Sequence, residues 1–600
     1  MKFISENNLA ALLGTSNATV QRWSASKIYP SYTQNGIKGF NIEDLNNIPE
    51  IKDMLNSVWE EESDVKPLRN FTSIELFAGA GGLALGLSKA GFKHVLLNEF
   101  NHSACQTLSL NQPEWNVIEG DIHDVDFTPL RGKVDFLSGG FPCQAFSYAG
   151  KQGGFNDTRG TLFFELARAV KEIQPKVFLG ENVKGLLSHD GGRTLQTIRN
   201  VISELGYTLI EPRVLKAIMY KVPQKRERLI LIAIRNDIAG EVIFHWPSPY
   251  TRVLTLRDAF YPGVIYDTDV PTSIGVKYPP KKQNVLSLVP QGGDWRDLPE
   301  AVAKEYMGGS WLLGGGKTGM ARRLSLDEPS LTLTCSPCQK QTERCHPIET
   351  RPLSVREYAR IQTFPDNWLF YGTIADQYKQ IGNAVPVNLA WALGRSVMRL
   401  FNEIQTLHPE EAHDCQSSVE SIMELHRIRK AQREATEKQN RIDEKNRRNG
   451  QLNIFDLLNQ YEDGIIRVAK ESVSEYLENT DNILIGVVKK DNQKDFLDNA
   501  ATLYYSGKQF PTTIDLQKIA FFIPYISGKG IKNIYRVTKI RVGTYREGHP
   551  EADLNDYRLV FELQYVTQFS TEYKAHNLEI WHTFSTKSLN QLGISLDEKV

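Results

Sequence analysis

Residues 73–90 read Ser-Ile-Glu-Leu-Phe-Ala-Gly-Ala-Gly-Gly-Leu-Ala-Leu-Gly-Leu-Ser-Lys-Ala, a short apolar run that breaks at glycines and resumes with helical spacing. Strand, glycine turn and helix in that order open an α/β fold whose ligands lie at the strand ends. Outward from this stretch the alternation continues. Strand-like runs recur at His94–Leu97, Val134–Leu137, Val177–Leu179 and Leu229–Ile234, with amphipathic segments between them. The pattern predicts a parallel, doubly wound, Rossmann-like sheet over 71–245. The turn is Phe77-Ala78-Gly79-Ala80-Gly81-Gly82, and its glycines do not fall at the spacing of a dinucleotide fingerprint.

Other strand ends carry chemistry. Glu99, followed by Phe100, closes the second strand, where a carboxylate suits the two hydroxyls of a ribose. Gly120-Asp121-Ile122 follows the third, where a carboxylate can accept from an adenine amino group while Ile122 packs on the ring. Each acid alone could equally cap a helix or a turn. Glycine turn, ribose acid and adenine acid in sequence read as an S-adenosylmethionine crevice rather than one for NAD. The next strand runs into Gly139-Gly140-Phe141-Pro142-Cys143-Gln144-Ala145-Phe146-Ser147. A thiolate is a soft carbon nucleophile, although a buried cysteine is more often inert. Glu181, at the end of the following strand, would face the same crevice as Cys143 and could protonate a ring that the thiolate attacks. In Pro223-Gln224-Lys225-Arg226-Glu227-Arg228, alternate residues share a face, so Arg226 and Arg228 point one way. A surface ion cluster around Glu227 is the competing reading.

Bulk properties restrict the partners. A net charge of −1 means that nucleic acid must be met by local basic patches. Six cysteines are too few for a disulfide scaffold and suit a reducing cytoplasm. No apolar run approaches the ~20 residues of a membrane span, and the N-terminus lacks the apolar core of a signal peptide. A cytoplasmic protein is the expectation. Cys335, Cys338, Cys345 and His346 lack the second ligand pair of a zinc site, so no metal is expected.

Flanking regions add modules. Residues 1–58 predict a helix-turn-helix of the MerR/excisionase kind, with Val20 and Trp23 inward and Gln21 and Arg22 outward toward DNA, its own promoter being one candidate. Segment 246–350 loses the sheet pattern, and 351–405 returns to helix. Residues 406–460 form a charged helical linker, within which Glu424–Asn449 is read as a solvated spacer rather than a phosphate-binding arm. Residues 461–600 form an accessory α+β domain of unassigned role.

The ordered blocks ELFAGAGG (75–82), GDI (120–122), GGFPCQAFS (139–147), RGTLFFE (159–165), ENV (181–183), PQKRER (223–228), RPLSVREYARIQTFP (351–365) and QIGNAVPVNLA (380–390) resemble the bacterial DNA (cytosine-5) methyltransferases. The resemblance implies that Cys143 adds to C6 of a cytosine flipped out of duplex DNA. It implies that Glu181 acts at N3, that Arg228 contacts the base carbonyl, and that Arg226 supports Cys143 or a phosphate. It further implies S-adenosyl-L-methionine as cofactor, held by Phe77 to Gly82, Glu99, Phe100, Asp121, Ile122, Pro142, Leu162 and Asn383. The loop after Cys143, with Gln144 and Ser147, would close over DNA. Segment 246–350 would be the target-recognition domain, with Lys281, Lys282, Arg296, Lys317, Arg322 and Arg323 as DNA contacts. A restriction-modification role, with a cognate endonuclease acting separately, follows from the same likeness. A tRNA cytosine-5 methyltransferase, or a methyltransferase fused to a regulator or nuclease, is the alternative.

Overall fold

A computed structural model describes residues 2–141, 162–312 and 319–448, and strands within 451–586. Pro142, Cys143, Gln144, Ser147 and Lys317 lie outside the described residues. The chain divides into two compact units, 1–430 and 431–600.

The first unit is built on one sheet. Its strands, in chain order, are β1 (Phe71–Leu76), β2 (Phe92–Glu99), β3 (Val117–Glu119), β4 (Phe136–Gly140), β5 (Val177–Val183), β6 (Tyr207–Leu209), β7 (Arg213–Lys216) and β8 (Glu227–Arg235). Their spatial order is β7-β8-β5-β4-β1-β2-β3, with β6 also on β8. The expected α/β architecture is present, with one correction. β1 to β5 are mutually parallel, but β8 runs antiparallel to β5, pairing Arg228 with Val183 and Ile230 with Glu181. The sheet is therefore mixed. β1 is buried along its whole length and β8 carries the unbroken apolar run Leu229–Ile234, because helices cover both faces of the sheet. From β1 the chain winds outward through β2 and β3, then returns to β4 on the other side. That reversal makes the crevice above β1 and β4 the natural ligand site.

Helices α1 (Glu6–Leu13) and α2 (Asn17–Ala25) open the chain, capped by Ser5 and Ser16, whose side chains accept Asn8 and Thr19 backbone N–H. Gly14 between them sits at φ 68°, the left-handed value that ends a helix cheaply only in glycine. A small antiparallel sheet, Phe3–Ser5, Tyr32–Gln34 and Ile37–Asn41, completes the module. It does not hang free. Leu9, Leu12 and Ile51 share a buried cluster with Ile218 and Val253, and Lys216 pairs with Glu50 at 2.9 Å.

Helices α3 (Gly82–Lys89), α4 (His102–Asn111), α5 (Leu162–Ile173) and α6 (Arg193–Glu204) flank the sheet. Beyond the 246–350 segment come α7 (Val355–Ile361), α8 (Ile374–Asn383) and α9 (Val387–Leu407). α9 returns against α3 at backbone distance. A Cβ on Gly86 would stand 2.3 Å from Ala390 Cβ, and one on Gly394 2.7 Å from Ala90 Cβ. This crossing carries Asn383 back beside the glycine turn. Helix α10 (Gln416–Arg448) begins on the catalytic unit, with Val419 and Ile422 buried in its core. Within the stretch expected to be a solvated spacer, His426 is buried as well, at 6% exposure.

In the second unit, long strands Gly530–Thr544 and Tyr557–Tyr573 pair antiparallel at the centre of a sheet, with Phe521–Ile526 and Ile483–Val488 beyond. The apolar-rich stretches 533–537 and 557–563 fall within this central pair.

Candidate active site

One cleft of about 1130 Å³ opens at the carboxyl ends of the strands. It is lined by the glycine turn, Glu99, Gly140, Glu181, Arg226, Arg228 and Asn383 among others, so cofactor and catalytic candidates share it.

The turn is shaped for close approach. Phe77 and Gly79 both have positive φ, 57° and 55°, and a Cβ on Gly79 would meet nothing within 4 Å. Open space thus lies directly over the backbone. Glu99 Oε2 accepts the Gly79 N–H at 2.8 Å and Oε1 the Asn101 N–H at 2.7 Å. Both oxygens are held by the backbone, and each keeps a lone pair for a ribose hydroxyl. These residues fit the nucleoside part of S-adenosylmethionine.

Not every expected residue reaches the cleft. Phe77, Ala78, Gly79, Ala80, Gly82, Glu99, Phe100 and Asn383 line it. Gly81 does not, because its Cβ direction points at Leu108 and Trp368. Ile122, at 3% exposure, is buried with the sheet core and does not line the cleft. Leu162 likewise packs on that core. Asp121 caps the next turn and faces His123 at 2.6 Å.

The opposite wall carries the charges. Because β8 is antiparallel, residues at its start lie beside the end of β5, which brings the arginines to the crevice. Arg228 Nε meets Glu181 Oε1 at 2.6 Å, both side chains being 12% exposed. Burial pushes the Glu181 carboxyl above the usual carboxylate range, while Arg228 and then Arg226 oppose the rise. A carboxyl raised this way holds its proton more firmly than a free one and can serve as a proton donor. Arg226, almost fully buried, donates to the Leu333 and Asn383 carbonyls at 3.4 and 3.3 Å. It ties the 246–350 segment to the end of α8. Glu227, between the arginines in sequence, faces away and pairs with Lys184.

Among the lining residues that the sequence does not single out for this cleft are Glu75, Asn182 and Cys335. Glu75, buried at the end of β1, is pushed up to about 8 by burial, against the Ala84 backbone N–H and the Ser138 hydroxyl. Asn182 donates to the Phe141 carbonyl at 2.8 Å and so fixes the chain entering the Pro142-Cys143 run. Cys335 turns its thiol to Asn383 Oδ1 at 3.2 Å. Glu75 and Asn182 carried a signal, their places in the ELFAGAGG and ENV blocks.

The proposed DNA contacts of 246–350 divide by burial. Arg323 is a correction: buried at 5% exposure, it donates to the Leu286 carbonyl and the Thr350 hydroxyl and organises its own domain. Lys282 is largely buried against Glu343 and the Cys338 carbonyl. Arg322 is 14% exposed, facing Asp294 at 3.6 Å and Glu328 at 3.9 Å. Lys281 and Arg296 are exposed, held by Glu305 and Asp294 at 2.7 Å. Gln21 and Arg22 are exposed on α2. Among the described residues no group of His, Cys, Asp and Glu could hold a metal ion, and no helix is long and apolar enough to cross a membrane.

A family model described as C-5 cytosine-specific DNA methylase matches residues 71–399. The chain is 62% identical over 402 residues to the Type II methyltransferase M.Eco47II of Escherichia coli, covering 67% of this chain and 96% of that one. It is 59% identical over 408 residues to M.PspPI of a Psychrobacter species, covering 67% and 98%. It is 50% identical over 348 residues to M.Sau96I of Staphylococcus aureus, covering 57% and 79%. A solved S. pombe Dnmt2 methyltransferase overlays 56% of this chain and 99% of its own at a TM-score of 0.38 and 16% identity, too distant to inform function. The matched segment contains the whole sheet, the glycine turn and the Glu181–Arg228 pair, and the chain belongs to the C-5 cytosine-specific DNA methylases, enzymes that use S-adenosylmethionine.

Proposed function

We propose that the enzyme works on a cytosine flipped out of duplex DNA and held over this cleft, with Cys143 as nucleophile. When bound, the cofactor supplies an electrophilic methyl group on a sulfonium. The Cys143 thiolate adds to C6, which moves electron density onto C5 and N3. Protonated Glu181 gives N3 its proton and so neutralises the developing charge. Arg228, paired with Glu181 at 2.6 Å, presents N–H groups to the base carbonyl. Once C5 is methylated, solvent water takes the C5 proton as the thiolate departs from C6, and N3 returns its proton to Glu181, which restores the ring and the enzyme. Covalent addition divides one hard step into two easier ones, because C5 of cytosine is a poor nucleophile until C6 is substituted. Stacked duplex hides both atoms, and flipping costs a few kcal/mol.

The observation that carries this reading is the Glu181–Arg228 pair in the cleft of the glycine turn, next to the strand end from which the Phe141-Pro142-Cys143 run departs. A duplex oligonucleotide with 5-fluorocytosine in the target site tests it. With cofactor it should become trapped covalently on wild type and not on Cys143→Ser; trapping on the serine variant refutes Cys143 as the nucleophile.

For the N-terminal module, the exposure of Gln21 and Arg22 on a capped second helix supports contact with DNA, its own promoter being one candidate. The likeness to proteins named as Type II methyltransferases supports a restriction-modification role beside a separate endonuclease.

A further inference from the structure

The family model ends at residue 399, yet the first unit continues to residue 430, and its last turns lie on the cofactor edge of the sheet. We infer that the first half of α10 is a clamp on the Glu119–Asp126 loop, with His426 as the positioning residue that fixes this loop beside Glu99 in the cofactor site. The inference rests on reading Glu99 as a cofactor ligand.

Four observations converge. The helix is anchored, with Val419 and Ile422 buried alongside Ile122, Val125 and Phe127, and with Cys415 and Ser418 meeting the Lys133 carbonyl and ammonium at 3.1 and 2.8 Å. From this anchor three residues at helical i, i+3 and i+4 spacing reach the loop. His426 Nε2 and Lys430 Nζ both lie 3.3 Å from the Glu119 carbonyl, and Arg429 Nη1 lies 3.3 Å from that of Asp124. A carbonyl only accepts, so the imidazole proton sits on Nε2. The fit is close: a Cβ on Gly120 would stand 2.8 Å from the His426 ring. The loop is in turn bonded to the cleft wall. Gly120 N–H donates to the Glu99 carbonyl at 2.9 Å, and Asn98 Nδ2 donates to the Gly120 carbonyl at 3.1 Å. A shift at Glu119 therefore moves Glu99, whose carboxylate lines the cleft. His426 is buried at 6% exposure, and its Nδ1 has no partner. Nothing but the Glu119 carbonyl is held by this ring, as expected of a side chain whose work is to hold that loop.

The test is binding of S-adenosylhomocysteine by calorimetry to the full chain, read beside kcat and KM and a thermal melt. Losing one hydrogen bond of ordinary strength predicts about three- to tenfold weaker binding for His426→Ala, with kcat nearly unchanged. His426→Gln, which keeps an N–H donor, should restore most of the affinity. Gly120→Ala should also weaken binding, and His426→Ala in that background should relieve part of the loss by making room. Glu99→Ala is the control for the underlying reading, and normal affinity there overturns that reading and the clamp together. If Glu99→Ala weakens binding while His426→Ala and Gly120→Ala leave it at the wild-type value, the clamp alone is refuted. Should His426→Ala fail to fold, Gly120→Ala and Lys430→Ala, set against His426→Gln, decide the matter by the same readout.

Discussion

Replacing Glu181 with glutamine keeps the shape of the side chain and removes its transferable proton. In the structure the carboxylate loses its charge while Arg228, 12% exposed and 2.6 Å away, keeps its own. Two opposite charges about 4 Å apart attract by roughly 4 kcal/mol at an effective dielectric of ~20, before desolvation is counted. The amide oxygen still accepts from Arg228, so the net loss of folding stability should be smaller, on the order of 2 kcal/mol. The kinetic loss should be larger. Positioned acid catalysis contributes about 10²–10⁴ in rate, or roughly 3–5 kcal/mol of barrier. The assay is single-turnover transfer of labelled methyl to a duplex oligonucleotide between about pH 5.5 and 9. Because burial raises the Glu181 carboxyl, the wild-type rate should decline as pH rises through that raised value. The variant should lose that limb as well as the rate. A Glu181→Gln enzyme within tenfold of wild type, or one with the same alkaline limb, would refute Glu181 as the proton donor.

Asp135, buried and paired with Arg69 at 2.6 Å, tests the scaffold under the site. Burial alone would raise its carboxyl, but Arg69 and the Thr72 N–H hold it below the usual carboxylate range. Its stabilisation is then present above the unfolded value near pH 4 and lost as pH falls further, so a melt that stays flat down to about pH 2 contradicts the pairing. Asp135→Asn should cost about 3 kcal/mol at pH 7 by leaving Arg69 unmatched, measurable by urea titration. Gly86→Ala should destabilise despite a helix-propensity gain of ~1 kcal/mol, because its Cβ would stand 2.3 Å from Ala390 Cβ and overpacking costs about 1–3 kcal/mol. A melting midpoint at or above wild type would show that α3 and α9 can part freely. Deleting residues 1–58 uncovers Ile218 and Val253, each worth about 1.5–3 kcal/mol of burial, so the truncated enzyme should melt several degrees lower. Unchanged melting would mean that the module is merely tethered.

The local signals were legible because they are local. A positive-φ turn needs glycine, so 79–82 could be read as a ligand turn, and Gly79 and Gly81 do adopt positive φ. Buried strands read as apolar runs, so the strands, and Glu99 and Glu181 at two of their ends, were placed without coordinates. Direction was not legible. Side-chain alternation shows which residues share a face of a strand but not whether its neighbour runs with or against it, and only the antiparallel β8 brings Arg226 and Arg228 to the crevice. Burial of charge was not legible either: Arg322 and Arg323 are adjacent in sequence, yet Arg323 is spent inside its domain on backbone carbonyls. The same holds for α10, whose charged composition suggested solvent while its His426 is buried. Sequence by itself determined the chemistry available at each strand end. Tertiary structure decided which of those groups meet, because pairing partners far apart along the chain leave no trace in local periodicity.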